Sequence, residues 1–468
     1  MRIPTAPGTP EGTPMPEAAT AREKDAPPER ETAWPSPGRA WYAVGLFSLA
    51  LMINFLDRGI VTLLVPPIQH DLHLTDTEVS LLIGFAFVFF YLFLGLPIAR
   101  LVDTRSRRVI IGVGLSIWSV MTGVCGLART FWQLFAARVG VGVGEACNGP
   151  ATFSMLADLF PPEKLPRAIS VLNFGFVAGT GFALVMGGTV LHFASGLPPV
   201  SLPLIGVLRP WQITFMLVGL PGLAVALLFT TLEEPARRGL IRGTAAQTLP
   251  VREVARFMWE SRRTYVPMFL GLALNVILAF GDQAWIPTFL HRTYGLTMAQ
   301  AGWAAGLAFV IPAPLGLMAG SALSEWLTRK GYDDADLRVT VLGVAGAIPA
   351  AILFPLMPTP KLAMLVLGAQ FFVNMLLPGP QSAALQIVTP NQMRGQVTAL
   401  FLFVFNAVGF GFGPTFVALL TDHVFGNQAL LRYSLVATAA IMGPLAALTV
   451  WSGLKPYAES VRRARTWA

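Results

Sequence analysis

The sequence predicts an all-α integral membrane protein whose twelve transmembrane helices form two six-helix bundles. Hydrophobic residues make up 54% of the chain and charged residues 12%, against roughly 25% charged in an ordinary soluble domain. Such a chain cannot cover a water-facing surface. Apolar stretches of roughly 16 to 20 residues, close to the length that crosses the hydrocarbon layer, recur along it, as from Trp41 to Leu56, Val109 to Leu127 and Val341 to Met357. About six precede an arginine-rich stretch near residue 240 and about six follow it.

Taken in order, residues 1–40 repeat Pro, Glu, Ala, Thr and Arg without an apolar run, and such a segment is expected to be a disordered tail. No short apolar region with a cleavage site precedes Trp41, so a cleavable signal peptide is not expected. An even number of spans puts both termini on one side. Most of the 33 lysines and arginines fall in the tails and alternate loops, which makes that side the cytoplasm and the membrane the cell's inner (plasma) membrane. The net charge of +8 is thereby topogenic, and no nucleic-acid partner is called for. The expected segments are a first bundle at 41–232, a linker at 233–263, a second bundle at 264–455 and a cytoplasmic tail at 456–468. In the linker Val251, Val254, Phe257 and Met258 share a helical face while Arg252, Glu253 and Arg256 fall elsewhere. That pattern suits a helix lying in the membrane interface, with a solvated tether as the alternative. Cys125 and Cys147 lie inside predicted helices and His70 and His73 flank the outer end of the first. None of these reads as a disulfide framework or a metal site.

The two halves carry a repeat. Leu74-Thr75, Glu78, Gly84, Asp103 and Arg107-Arg108 return as Leu296-Thr297, Gln300, Gly306, Glu325 and Arg329-Lys330, at one offset of about 222 residues and in the same order relative to the spans. The repeat is therefore parallel. Ala99-Arg-Leu-Val-Asp103-Thr-Arg-Ser-Arg107-Arg108 resembles the loop between helices two and three of the major facilitator superfamily, with Ala99 and Ser106 where that motif has glycine. The resemblance implies the major facilitator fold, and a latch in which Asp103 and Arg107 join the cytoplasmic ends of the halves in the outward-open state.

Charges within spans are costly and are functional candidates by default. Asn54, Asp57 and Arg58 share one face of helix one at i, i+3 and i+4. Arg138 and Glu145 lie seven residues apart on helix four, about 20° out of line at 100° per residue, and Asn148 and Thr152 extend their stripe. Two polar faces in one half suggest a shared water-filled cavity; the alternative is a buried structural ion pair.

These residues resemble the spinster-like branch of the superfamily. The resemblance rests on Asn54-Phe-Leu-Asp57-Arg58, on Arg138-Val-Gly-Val-Gly-Val-Gly144-Glu145-Ala146, on Gly149-Pro150-Ala151, Ser154 and Asp158, on Arg167-Ala168, and on the glycine-rich run from Asn173-Phe-Gly175 to Gly188. It implies a proton-linked or facilitative carrier of lysolipids or sphingoid lipids, with Asp57, Arg58, Arg138 and Glu145 as coupling and gating residues. Glu145 is expected to be the principal proton-coupling group, held in check by Arg138 and by the Asp57-Arg58 pair. The cytoplasmic gate is expected to comprise Asp103, Arg107, Arg108, Asp158, Arg167, Glu325 and Arg329.

Gly175, Gly179, Gly181, Gly187 and Gly188 let backbones approach closely, either for packing or as a rocking hinge. The substrate cavity is expected to be lined by Asn54, Arg58, Phe85, Phe89, Asn148, Thr152, Phe174, Asp282, Trp285, Phe403 and Asn406. A head group would sit near Arg58, read as an unshared arginine, with a tail among the aromatic rings. No lysine follows a glycine and no His-Glu-x-x-His occurs, so neither a phosphate loop nor a zinc-protease motif is present and no cofactor is called for. A proton-coupled drug or organic-anion exporter is the nearer alternative function, and a membrane-embedded lipid-modifying enzyme the more distant one. The expected partners are an amphipathic substrate, protons and the bilayer, with the chain a monomer.

Overall fold

The structure, a computed structural model, describes residues 34–161, 163–197, 200–202, 206–237 and 250–465. Side chains at 89–91, 95–96, 99–100, 103, 166, 173–174, 176–178, 200 and 202 also lie outside the described set. Most of the proposed tail, 1–33, therefore falls outside it. Residues 37–40 do not belong to a tail, because Pro37 opens the first helix, where the missing N–H costs nothing.

Among the described residues ten helices are long and apolar enough to cross a membrane. The stretch Phe131–Glu145 with Asn148–Leu159 and the helix Leu165–Ser195 complete the twelve. The first half holds Pro37–Leu63, Asp76–Ser80 running on into Ala86–Thr104, Arg107–Cys125, the broken fourth span, Leu165–Ser195 and Pro210–Leu228. The second holds Arg262–Tyr294, Met298–Arg329, Ala335–Leu356, Pro360–Ile387, Arg394–Phe425 and Leu431–Ser452. A short antiparallel hairpin, Val200–Leu202 with Gly206–Leu208, precedes the sixth span.

Three spans are interrupted where proline forbids continuity. The fourth breaks at Ala146 and Cys147, immediately after Glu145, because the ring of Pro150 opposes the carbonyl four residues back. The tenth breaks between Asn374 and Pro378, ahead of Pro380, and the eighth at Ile311, ahead of Pro312. Spans two and eleven carry π-helical turns instead, at Leu81–Phe85 and Ala407–Phe412, a local widening that recurs at functional places.

Within the halves, span one packs on span five, span three on span six, and span seven on span twelve. Between the halves, span five packs on span eight and span two on span eleven. Glycine makes both seams: a Cβ on Gly84 of span two would run into the carbonyl oxygen of Phe410 on span eleven. A Cβ on Gly306 would lie 2.7 Å from the carbonyl oxygen of Gly181, and one on Gly188 would lie 2.7 Å from that of Ala299. The glycine run of span five thus serves two neighbours: Gly181 and Gly188 face the other half, while Gly175, Gly179 and Gly187 face Ser48, Met52 and Leu63 of span one.

Two amphipathic helices lie at the end of the molecule that carries the termini. Val251–Glu260 buries Val254 and leaves Arg252, Glu253 and Arg256 exposed. Leu454–Ala464, where composition alone suggests a tail, is a second helix. Its Tyr457 and Val461 join a cluster with Val254, Tyr265 and Leu337, and Arg462 and Arg465 both hold Asp333 at 2.7 Å.

Candidate functional site

The charged residues of spans one and four meet, but in a different pairing from the one their spacing suggests. Nε and Nη2 of Arg58 donate to the same carboxylate oxygen of Glu145, at 3.0 and 2.8 Å. The Glu145 side chain is fully buried and that of Arg58 is 19% exposed. Arg58 is therefore not unshared: Glu145 holds it. Asp57 accepts a hydrogen bond of 2.6 Å from the Thr122 hydroxyl on span three. Arg138 donates from Nε to the carbonyl of Leu82 at 3.4 Å, so the group that directly restrains Glu145 is Arg58.

Asp57, Arg138 and Glu145 are each 1% exposed, and the charges of Arg138, Glu145 and Arg58 all act on Asp57. Two acids and two arginines make a neutral set, which is how ionised groups persist away from water. The set is incompletely satisfied: among the described residues Oδ1 of Asp57, Oε1 of Glu145 and Nη1 of Arg138 have no hydrogen-bond partner. Spare acceptors and a spare donor within one buried set leave room for a second arrangement in which they meet. The guanidinium of Arg58 also lies 4.3 Å from the ring centre of Phe87 and 5.4 Å from that of Phe410. Phe410 belongs to span eleven, so this one arginine touches both halves.

The other cavity candidates divide by exposure. Phe85 and Phe403 are exposed, and Asn406 is half-buried with its amide on the carbonyl of Leu402 at 2.7 Å. Asn54, Asn148 and Thr152 are buried, with the Thr152 hydroxyl 3.2 Å from the Asn148 amide oxygen. Trp285 lines no open space: it is 0% exposed and its indole N–H donates to the carbonyl of Pro414 at 2.9 Å, pinning span seven to span eleven. Asp282 is likewise enclosed, 2% exposed and bonded to Gln370 on span ten at 2.7 Å. The side chains of Phe89 and Phe174 lie outside the described residues.

At the end that carries the termini, Arg107 is 1% exposed and turned into its own half. It pairs with Asp158 and with Glu234 and donates to the carbonyls of Ser154 and Pro235. Arg108 follows, donating its N–H to Glu234 and its guanidinium to the carbonyl of Leu232. Glu234 thus completes a clasp of spans three, four and six that sequence reasoning misses. It lies two residues past Leu232, where a carboxylate reads as part of a solvated linker. Asp103, the expected latch acid, has its side chain outside the described residues. Arg167 is exposed, 5.8 Å from the ring centre of Trp41. Glu325 and Arg329, the repeat's counterparts, form an exposed pair at 3.5 Å within one helix, unlike the buried Arg107.

The halves are joined at the opposite end. Arg292 at the end of span seven donates to both oxygens of Asp76 at the start of span two, at 2.8 and 2.7 Å, and to the amide oxygen of Gln69 at 2.8 Å. The backbone N–H and hydroxyl of Thr77 both reach Asp422 at 2.7 Å, and Trp303 donates to Thr189 at 3.0 Å. Asp76 is 0% exposed, so this is a buried, charge-assisted clamp.

A family model, Major Facilitator Superfamily, matches residues 47–414. The chain is 28% identical over 431 residues to an MFS-type efflux pump of Mycolicibacterium smegmatis, covering 91% of this chain and 95% of that one. It is 24% identical over 414 residues to the protein spinster homolog 3 of Danio rerio, covering 85% and 80%. Its fold superposes with a TM-score of 0.76 and 23% identity on a bacterial homolog of the human lysosomal transporter Spinster in an inward-facing and unoccupied conformation, over 92% of this chain and 99% of that one. Twelve spans in two parallel halves, a match over most of the chain and relatives that are transporters make this protein a member of the major facilitator superfamily of membrane transporters, resembling its spinster branch.

Proposed function

We propose that the chain is a secondary active carrier that moves an amphipathic, lipid-like substrate by alternating access and couples the movement to protons. The observation that carries this reading is the Arg58–Glu145 pair, a buried carboxylate held by a partly exposed arginine that is ringed by Phe55, Phe87 and Phe410. Protonating Glu145 removes its charge and leaves the four-residue set with one net positive charge on the accessible member, Arg58. An anionic head then completes the set, while an acyl or sphingoid tail lies along the aromatic rings. The ionised Glu145 carboxylate and the substrate head thus compete for one arginine, so proton uptake on Glu145 favours substrate binding, and that linkage is a direct form of coupling.

With the termini in the cytoplasm of the inner membrane, as the basic loops favour, the Asp76–Arg292 clamp seals the outer side and the state is inward-facing. The two halves, 41–232 and 264–455, then rock about the glycine seams as a monomer. The relatedness to an efflux pump favours one second reading, a proton-coupled exporter of drugs or organic anions. Flux in sealed vesicles and thermal shifts of detergent-purified protein separate the two. Stabilisation and transport of lysophospholipids or sphingoid lipids, above common drugs and a small hydrophilic sugar, is expected. Equal responses to a lysolipid and the sugar would refute the lipid assignment.

A further inference from the structure

Span seven carries a carboxylate that the four-residue set does not use. Asp282 is 2% exposed and Gln370 on span ten is 1% exposed. The Gln370 amide nitrogen donates to Oδ2 of Asp282 at 2.7 Å, and the two remaining atoms of the pair, Oδ1 of Asp282 and Oε1 of Gln370, are both buried without a partner among the described residues. Both are acceptors. Two orphaned acceptors on an already bonded carboxylate and carboxamide are the two atoms that a single proton joins, closing a doubly hydrogen-bonded acid–amide ring.

Among the described residues nothing charged stands ready to compensate an ionised Asp282. The eighth-span segment Met298–Val310 and the eleventh-span segments Ala407–Phe412 and Gly413–Leu419 contain no titratable side chain. Span ten brings Lys361, at its start. Span twelve brings Arg432 and Tyr433, at its start, with Arg432 on the carbonyl of Pro355. Asp422 and His423 follow farther along span eleven, where Asp422 holds Thr77. On span seven itself His291 and Arg292 lie more than two turns on, engaged by the carbonyl of Leu296 and by Asp76. Span one brings Asp57 and Arg58, committed to Thr122 and Glu145, and at its start Arg39 and Tyr42, engaged by Glu233 and Thr231. Arg394, the charges of helices Val251–Glu260 and Leu454–Ala464, and Arg262 and Arg263 sit at the terminal-bearing end; Arg262 is twenty residues from Asp282, or about 30 Å of helix. A buried carboxylate without a counter-charge is disfavoured by its desolvation and takes up a proton instead.

We propose that Asp282 and Gln370 form a second proton-binding site, in the C-terminal half, where the proton bonded to Oδ1 of Asp282 is donated to Oε1 of Gln370. The proton comes from water, one O–H bond forms, and no other reactant is needed. The site stands apart from the Glu145 coupling group and does not depend on its role. Ring contacts link span seven, which carries Asp282, to Arg58. Phe280, two residues before Asp282, stacks on Phe410 with ring centres 3.8 Å apart, and Arg58 lies over the ring of Phe410.

Infrared difference spectroscopy on nanodisc-embedded protein at neutral pH tests the assignment. The protonated-carboxyl stretch, identified by its shift in deuterated water, is expected in the parent, absent in Asp282→Asn and moved to higher frequency in Gln370→Leu, which removes both ring hydrogen bonds. Asp282→Asn preserves the shape and can donate to Gln370, so its melting temperature should match the parent's. If it fails to fold, the Gln370→Leu frequency shift still decides. Loss of a carboxylate band instead of a carboxyl band would overturn the proposal. So would parent bands that change when sodium replaces choline and stop changing in Asp282→Asn, because a metal ion would then use the same oxygens together with Oδ1 of Asn374.

Discussion

Arg292 grips Asp76 through both terminal nitrogens across a separation of 216 residues in the chain, and this pair holds the two halves together at the end remote from the termini. Both side chains are nearly or fully buried, 11% and 0% exposed. Removing one partner leaves a buried charge uncompensated, a loss of about 3–5 kcal/mol, and a difference of that size inverts a two-state population. Arg292→Ala is expected to favour the state open at this end. Spin-label distances between the starts of spans two and eight would lengthen in the variant; unchanged distances would make the pair an ornament of the closed seam.

The glycine seams give a sharper steric test. A Cβ on Gly306 meets Cγ2 of Val185 at 2.6 Å and the carbonyl of Gly181 at 2.7 Å, whereas one on Gly175 finds its nearest neighbour, Ser48, at 3.6 Å. Gly306→Ala should destabilise the closed seam by roughly 1–3 kcal/mol, and Gly175→Ala should be silent. Thermal melting and the same distance measurements on both variants check this, since equal behaviour would mean that span five does not meet span eight at this register.

The clasp at Arg107 depends on pH. Burial by itself would raise the Glu234 carboxyl, but hydrogen bonds from the Arg107 side chain, from the Arg108 and Arg107 N–H groups and from Ser106 hold it below its ordinary 4.5. A depressed acid contributes stability that is fully present above its unfolded value and is lost as the pH falls through its folded value. Glu234→Gln should therefore lower the melting temperature at neutral pH, by about 1–3 kcal/mol in stability. The gap to the parent should close as both are taken well below pH 4.5. A gap that persists in acid would assign the effect to packing.

Much of this arrangement is legible from residue spacing. The apolar stretches mark the spans, and Glu145 of the fourth-span stripe meets the charged turn of span one at Arg58. The pairing inside that cluster is not legible, because spacing along one helix fixes a face but not which arginine of two helices reaches a given acid. Arg58 reaches Glu145, and Arg138 turns to a backbone carbonyl. Asp76, Arg292 and Glu234 escape notice for a related reason. Each sits at a helix end, where a charge reads as solvated until the fold brings a distant partner. Trp285 and Asp282 misread in the opposite sense, since a polar or aromatic residue in a span suggests a cavity, yet partners on spans eleven and ten enclose them. The helix Leu454–Ala464 was within reach: Leu454, Tyr457 and Val461 recur at i, i+3 and i+7.

The proposed coupling turns on Glu145, whose charge Arg58 balances and whose second oxygen has no partner among the described residues. Glu145→Gln mimics the protonated acid, keeps the volume and frees Arg58. Substrate movement in proteoliposomes, with and without an imposed pH gradient, measures the consequence. Exchange at equal pH should survive in part while the response to the gradient disappears; a variant that follows the gradient as the parent does would contradict the account and leave Glu145 a structural partner of Arg58.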